Sequence, residues 1–225
     1  LFWSISLIAK EILKVKEILK INEAIKIFGS SFLGSITFTF TDSFWFNAVE
    51  AEVYAMATLI LALLFWLGLK WVDDFGNVRS EKWLILISFV VGLSFGVHFM
   101  GLLAIPSIGL LYYFKKYNGF NIKTFILANI ISVSILLFIF KLLLPSTLSL
   151  FGNLEVFFVN DLGLPFNSGT IFSAVFLISI IYYGLSYTSN KKLYWLNTSI
   201  LCLTFVIVGF SSWLMLPIRS NANTV

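Results

Sequence analysis

Long apolar stretches separated by short lysine-bearing loops are the feature that most constrains this chain. Eight such stretches fill its 225 residues, of which 59% are hydrophobic and only 12% are charged. Soluble domains carry about 25% charged residues, so this composition requires lipid as the solvent. We therefore exclude water-soluble folds and predict an all-α integral membrane protein.

The basic residues are unevenly distributed between the loops. When the apolar stretches are taken as successive crossings, thirteen of the fifteen lysines and arginines fall on one side, and only Lys141 and Arg219 fall on the other. Because positive residues concentrate in cytoplasmic loops, the lysine-rich loops are predicted to be cytoplasmic. The same sorting explains the net charge of +4 and excludes nucleic acid as a partner.

The apolar pattern predicts a polytopic helix bundle with about seven complete transmembrane helices and a partial one at the N-terminus. Both ends look cut from a longer protein, so residues 1–225 are interpreted as a single transmembrane-domain fragment. Residues 10–26 are predicted to form an amphipathic helix along the membrane surface. The complete crossings are predicted at residues 27–41, 46–70, 83–95, 102–114, 124–144, 169–187 and 196–216.

Two breaks divide the longer apolar runs. Residues 83–114 are too many for one crossing, so we place a break at residues 96–101 with His98 at its apex. The crossing at 124–144 is expected to end at Pro145, leaving residues 146–168 as the longest outer loop.

A small polar set remains on the side away from the lysines: Asp42, Glu50, Glu52, His98, Glu155, Asp161 and Arg219. Acids at the mouth of a crossing indicate function by default, although they also favour the positive N-terminal end of a helix. Residues two apart on a helix point about 200° apart, so Glu50 and Glu52 cannot both face one pocket if the helix has begun. Glu50 then shares a face with Tyr54.

His98, the only histidine, either binds a phosphate or a carboxylate at this interface or bonds a neighbouring carbonyl. It follows Ser88, Gly92 and Gly96, whose four-residue spacing predicts close helix packing. Arg219 is suited to bidentate contacts with phosphate or carboxylate, or it is an interfacial anchor.

The other polar residues are interpreted without a role in a functional site. Lys141 is expected to extend its side chain to the interface, and Glu155 and Asp161 to be ordinary loop acids. Asp42 belongs to a turn. One cysteine and one histidine cannot form a Cys/His metal site, and no phosphate-binding glycine loop occurs. We expect no cofactor and leave a divalent-metal requirement open.

Three stretches carry a family resemblance. They are residues 44–56, ending in Glu50-Ala51-Glu52-Val53-Tyr54-Ala55-Met56; residues 92–98 together with 102–106; and residues 217–223. In this order they resemble a bacterial multi-pass family of unknown function whose animal relatives are transmembrane protein O-mannosyltransferases. That family is similar to the membrane-embedded C-type (GT-C) glycosyltransferases.

The resemblance implies transfer of a sugar from a polyprenyl-phosphate lipid to an acceptor protein or glycan, outside a bacterial inner membrane. Glu52 would be an acidic group of the site with Glu50 a weaker companion, and His98, Tyr54 and Arg219 would bind substrate or its phosphate. The Gly-Asp-Ser-Gly-Glu-like motif of the family's first outer loop does not occur here. The fragment alone is therefore expected to be inactive.

Two other function classes stay open. A transporter would carry charges along a path through the membrane, whereas here the centres of the crossings are nearly free of charge. A non-catalytic membrane scaffold would explain the crossings and leave the outer polar set without a role.

Overall fold

The computed structural model describes residues 1–15, 19–50, 53–77, 79–117 and 119–222, and these contain helices and no strand. The predicted all-α membrane fold is confirmed. Its α-helices are α1 (Phe2–Ile12), α2 (Ile21–Thr39), α3 (Asp42–Val49), α4 (Tyr54–Asp73), α5 (Glu81–Ser94), α6 (Ala104–Lys116), α7 (Ile122–Leu137), α8 (Leu144–Val156), α9 (Ser168–Asn190), α10 (Tyr194–Phe210) and α11 (Met215–Ala222). Short 3-10 segments cover Phe99–Leu103 and Ser211–Leu214, and π-helical segments cover Phe138–Leu143 and Phe157–Asp161.

Fewer helices can cross a membrane than the sequence predicted. Within the described residues, four are long and apolar enough: Tyr54–Asp73, Ile122–Asp161, Ser168–Asn190 and Tyr194–Arg219. The prediction of about seven complete crossings is therefore wrong. With 14 and 13 residues, α5 and α6 are each about 20 Å long, short of the roughly 30 Å of hydrocarbon.

The predicted amphipathic helix at residues 10–26 does not form, because α1 ends inside it. Lys14 adopts a left-handed conformation with φ 53°, and its N–H donates to the carbonyl of Glu11 at 3.0 Å. The N–H of Val15 donates to the carbonyl of Lys10 at 3.2 Å, which completes a Schellman cap. The described residues of this segment are therefore the ends of two antiparallel helices, α1 and α2, joined by the hydrogen bond from Ser6 to Ser31.

The helix connections that carry the lysines meet at one end of the bundle, which we call the lysine-rich end. Here a cavity brings Lys10 of α1 beside Lys70 of α4, and the Trp71 ring stacks on Tyr112 of α6 at 5.7 Å. The start of α10 and the connection between α4 and α5 line one further cavity at this end. The opposite end, which contains the turn before the first 3-10 segment, is called the His98 end.

Helices α5 and α10 run parallel in direct backbone contact at the core of the bundle. A Cβ on Gly92 would clash with the carbonyl of Val206 and lie 3.0 Å from the Cα of Gly209, and a Cβ on Gly209 would lie 2.7 Å from the Leu93 nitrogen. The predicted small-residue packing is confirmed at Gly92. It is wrong for Gly96, which is exposed and meets only the carbonyl of Leu93 in its own turn.

Residues 146–168 are mostly helical, which corrects the prediction of an outer loop. The helix continues from Ile122 to Asp161 over 40 residues, about 60 Å at 1.5 Å per residue. Pro145 has no N–H to donate, but it follows the π-helical segment Phe138–Leu143, whose wider turn accommodates the missing bond. The chain then packs α8 against α9 and α11.

The contact between α5 and α10 yields a stability prediction. Gly92→Ala forces a Cβ against the α10 backbone, so the free energy of unfolding should fall by about 1–3 kcal/mol. Thermal unfolding in detergent measures the change. Gly29→Ala is the matched control, because no atom lies within 4 Å of its new Cβ and alanine favours helix. Equal melting temperatures for the two variants would contradict the packing described.

Candidate functional site

His98 lies at the apex of the break between α5 and α6, as the sequence predicted. Its backbone is extended, and its N–H donates to the carbonyl of Ser94 at 2.7 Å. Its Nδ1 accepts a hydrogen bond from the N–H of Met100 at 3.2 Å. Because Nδ1 is an acceptor, the neutral ring carries its proton on Nε2. The 3-10 segment Phe99–Leu103 thus orients the imidazole as a donor through Nε2.

Tyr54 is the partner of His98 at this end. As the first residue of α4 it places its ring with the centroid 5.9 Å from that of His98, at an interplanar angle of 46°. Tyr54 is exposed and His98 is half-buried. The pair offers a phenol hydroxyl and an imidazole N–H, two groups that can donate hydrogen bonds to an anionic oxygen.

Glu50, the described acid near Tyr54, does not lie on the same helix. Glu50 follows α3 in extended conformation, with φ −69° and ψ 142°, and it is exposed. The predicted crossing at 46–70 is therefore interrupted, and the prediction that Glu50 and Tyr54 share a helical face is wrong. Helix α3 ends at Val49, and α4 begins at Tyr54. Glu52 lies outside the described residues.

Arg219 is placed apart from the Tyr54–His98 pair. It is exposed on α11 and borders an open depression with Ser212, Met215 and Leu216. The two regions belong to the same end of the bundle, since a row of contacting rings joins them. The row runs from His98 to Phe99 at 6.4 Å, to Phe95 at 5.5 Å, to Phe210 at 5.4 Å and to Trp213 at 6.3 Å.

Glu155 is a structural residue, which corrects its interpretation as a loop acid. It is 1% exposed on α8, and its carboxylate accepts hydrogen bonds from the N–H groups of Asn167 and Thr170 and from the Thr170 hydroxyl. It thereby caps the N-terminus of α9 from a neighbouring helix. Gly169 permits the approach, because a Cβ there would lie 2.5 Å from the Cα of Glu155.

The remaining polar residues predicted on the side away from the lysine-rich loops have local roles. Asp42 is the first residue of α3, where an acid suits the positive helix end. Asp161 is exposed at the end of the π-helical segment. Lys141 holds its Nζ 5.1 Å from the ring centre of Phe140. Among the described residues, no group of three or more His, Cys, Asp or Glu side chains could hold a metal ion.

Comparison with known proteins gives one family. The family model described as the protein O-mannosyl-transferase TMEM260 N-terminal domain matches residues 1–121, just over half of the chain. The matched part contains Tyr54 and His98 and excludes Arg219. No curated protein and no solved structure matches the chain. The resemblance to transmembrane protein O-mannosyltransferases is thereby confirmed.

The capping role of Glu155 predicts an effect on stability. Glu155→Ala removes the acceptor of the backbone N–H groups of Asn167 and Thr170 at the start of α9, so the free energy of unfolding should fall by about 1–3 kcal/mol. The melting temperature in detergent measures this loss. Asp161→Ala removes an exposed acid from the same long helix and should leave that temperature unchanged. An unchanged melting temperature for Glu155→Ala would contradict the capping role of Glu155.

Proposed function

Because this chain belongs to the family of the protein O-mannosyl-transferase TMEM260 N-terminal domain, we propose that it forms part of a membrane glycosyltransferase. In this proposal a sugar passes from a polyprenyl-phosphate lipid to a hydroxyl of an acceptor protein or glycan. Family membership favours this reaction class over the transporter and the scaffold.

The Tyr54–His98 pair is the observation that supports the proposal most directly. In sugar transfer the bond from the anomeric carbon to the phosphate oxygen breaks, and negative charge grows on the lipid phosphate. Oriented donors that meet this charge stabilise the transition state. Nε2–H of His98 and the hydroxyl of Tyr54 are two such donors, and Met100 holds the imidazole in the orientation that presents Nε2.

The acceptor hydroxyl needs a base, which the proposal assigns to the acidic segment before α4. A positioned carboxylate contributes typically about 10²–10⁴-fold to such a reaction. Glu50 is exposed and joined to Tyr54 by only three residues, so it can approach a substrate held at the pair. Glu52 is the leading candidate for this role by family resemblance.

Arg219 stays a candidate phosphate contact in the proposal by family resemblance, at a position apart from the pair. It is placed at the His98 end by the row of rings that ends at Trp213, and its guanidinium suits bidentate phosphate binding. A lipid phosphate bound at the pair would lie at the membrane interface, with its chain in the bilayer. The His98 end would then face the extracytoplasmic side and the lysine-rich end the cytoplasm.

One prediction concerns the two side chains that donate hydrogen bonds to the phosphate. In the full-length protein, His98→Ala should lower sugar transfer by roughly 10²-fold, and Tyr54→Phe by roughly tenfold, since each loses a donor to the leaving phosphate. Transfer from a radiolabelled polyprenyl-phosphate sugar in membranes measures both. Glu52→Gln should also lower transfer severely.

Tyr182→Phe is the matched control for Tyr54→Phe. Tyr182 is an exposed tyrosine of α9, far along the chain from the pair, and its loss should leave transfer unchanged. Wild-type rates for both His98→Ala and Tyr54→Phe, with normal membrane insertion, would refute the proposed roles.

A separate prediction concerns the orientation of the chain in the membrane. In a Cys202→Ser background, a cysteine placed at Asp161 should react with a membrane-impermeant maleimide from outside intact cells, because the native side chain is exposed and the sequence puts it on the side away from the lysines. A cysteine placed at Lys192 should react only after the cells are opened. The reverse pattern would invert the proposed sidedness.

A further inference from the structure

A cavity of about 790 Å³ opens at the lysine-rich end, away from the Tyr54–His98 pair. Aromatic residues near the lysine-rich ends of three helices line it, among them Trp71, Tyr112 and Trp195. Its deeper walls are apolar and come from α5, α6, α7 and α10. The volume lies within the range of roughly 300–1,000 Å³ that is typical of ligand sites.

The cavity has the depth of one membrane leaflet. Along α10 its lining runs from Tyr194 to Val206, thirteen residues that rise by about 18 Å. The hydrocarbon core of a bilayer is about 30 Å thick, so the cavity ends near its middle. An apolar chain that enters at the aromatic mouth would be enclosed over the length of a leaflet. Cys202, the only cysteine of the chain, lies in the deeper part of this lining.

Basic residues lie close in sequence to the cavity lining at three places. Arg79 lies between two lining residues, Asn77 and Ser80, in the connection from α4 to α5. Two further pairs of lysines flank lining residues, one pair after Tyr112 and one before Tyr194: Lys115, Lys116, Lys191 and Lys192. All five side chains are exposed.

The nearby acids only partly offset this positive charge. Asp74 pairs with Lys82 at 3.2 Å, and hydrogen bonds from Asn77, Trp83 and Lys82 lower the pKa of Asp74 from 3.8 to about 2. Asp73 pairs with Lys70 at 3.3 Å. Glu81 lines the cavity and is the remaining acid beside it among the described residues. The mouth therefore keeps an excess of cations for a partner of opposite charge.

We propose that this cavity binds an anionic glycerophospholipid from the leaflet at the lysine-rich end. One acyl chain fills the apolar interior, and the phosphate headgroup lies among Arg79, Lys191 and Lys192. Basic pockets between transmembrane helices recognise anionic headgroups, and aromatic rings favour the headgroup level. The site is separate from the proposed donor site, which lies at the His98 end.

Two features select this ligand over others of similar size. A soluble polar ligand would leave the deep apolar walls, including Ile87, Ile135 and Ile139, without a partner. A neutral lipid would fill the interior and make no use of the basic border. An anionic lipid satisfies both parts of the cavity.

Cys202 reports occupancy without any added label. The purified protein is placed in nanodiscs of phosphatidylcholine alone, or of phosphatidylcholine with phosphatidylglycerol of the same acyl chains, and alkylation by N-ethylmaleimide is timed. Phosphatidylglycerol should slow the alkylation of Cys202, because its chain covers the thiol. Replacing each of Arg79, Lys191 and Lys192 by Gln should weaken the apparent affinity roughly five-fold per cation, so the triple variant should return to the rate in phosphatidylcholine.

A second measurement locates the lipid. Native mass spectrometry counts phosphatidylglycerol molecules retained by the protein, and Ser199→Trp should lose one of them because the indole fills the mouth of the cavity. Ser179→Trp is the matched control, since both serines are exposed helix residues whose hydroxyls donate to the carbonyl four residues earlier. Ser179 lines none of the described cavities.

Three outcomes overturn the proposal. Equal protection of Cys202 by the two lipids would remove the selection for anionic headgroups. Absence of protection by either lipid would show that no lipid chain enters, as when another part of the protein fills the cavity. Unchanged retention in Ser199→Trp would place the lipid elsewhere.

Discussion

The backbone contact between α5 and α10 is the constraint on which the rest of this structure depends. Within lipid no hydrophobic force drives helices together, so close packing between small residues must hold them. Gly92 and Gly209 provide it by letting two backbones touch. Since the two helices are parallel, this one contact fixes both ends. It brings Phe95 to Phe210 beside the candidate site, and it forms one wall of the lysine-rich cavity.

Much of the fold follows from hydropathy and charge. Apolar length identifies the helices, the lysines mark the connections that meet at one end, and the excess length of residues 83–114 locates the break at His98. The number of crossings does not follow, because α5 and α6 are apolar but too short to span. The cap at Lys14 and the passage through Pro145 also escape prediction. Both depend on local backbone hydrogen bonds that a hydropathy pattern does not encode.

The candidate site could be predicted only in part. Polar residues at the His98 end are visible in the sequence because they stand apart from the lysines. The grouping of Tyr54 with His98 is not visible in the sequence, since the two residues are 44 positions apart. They meet only through the packing of α4 against the 3-10 segment. Glu155 is the converse case. Its hydrogen-bond partners lie twelve and fifteen residues away across a turn. The sequence therefore does not show that Glu155 caps a helix, and it predicts an ordinary loop acid instead.

The π-helical segment Phe138–Leu143 has a consequence for the phase of the long helix. Each extra residue in a wide turn rotates everything downstream by about 100° relative to an uninterrupted α-helix. Ser132 before the segment faces α6, and Glu155 after it faces α9, so the rotation within the segment contributes to the angle between these two contacts. Substitutions within the segment preserve this rotation, whereas an insertion or deletion of a single residue would turn α8 away from its neighbours. The number of residues in this segment therefore matters more than which residues they are.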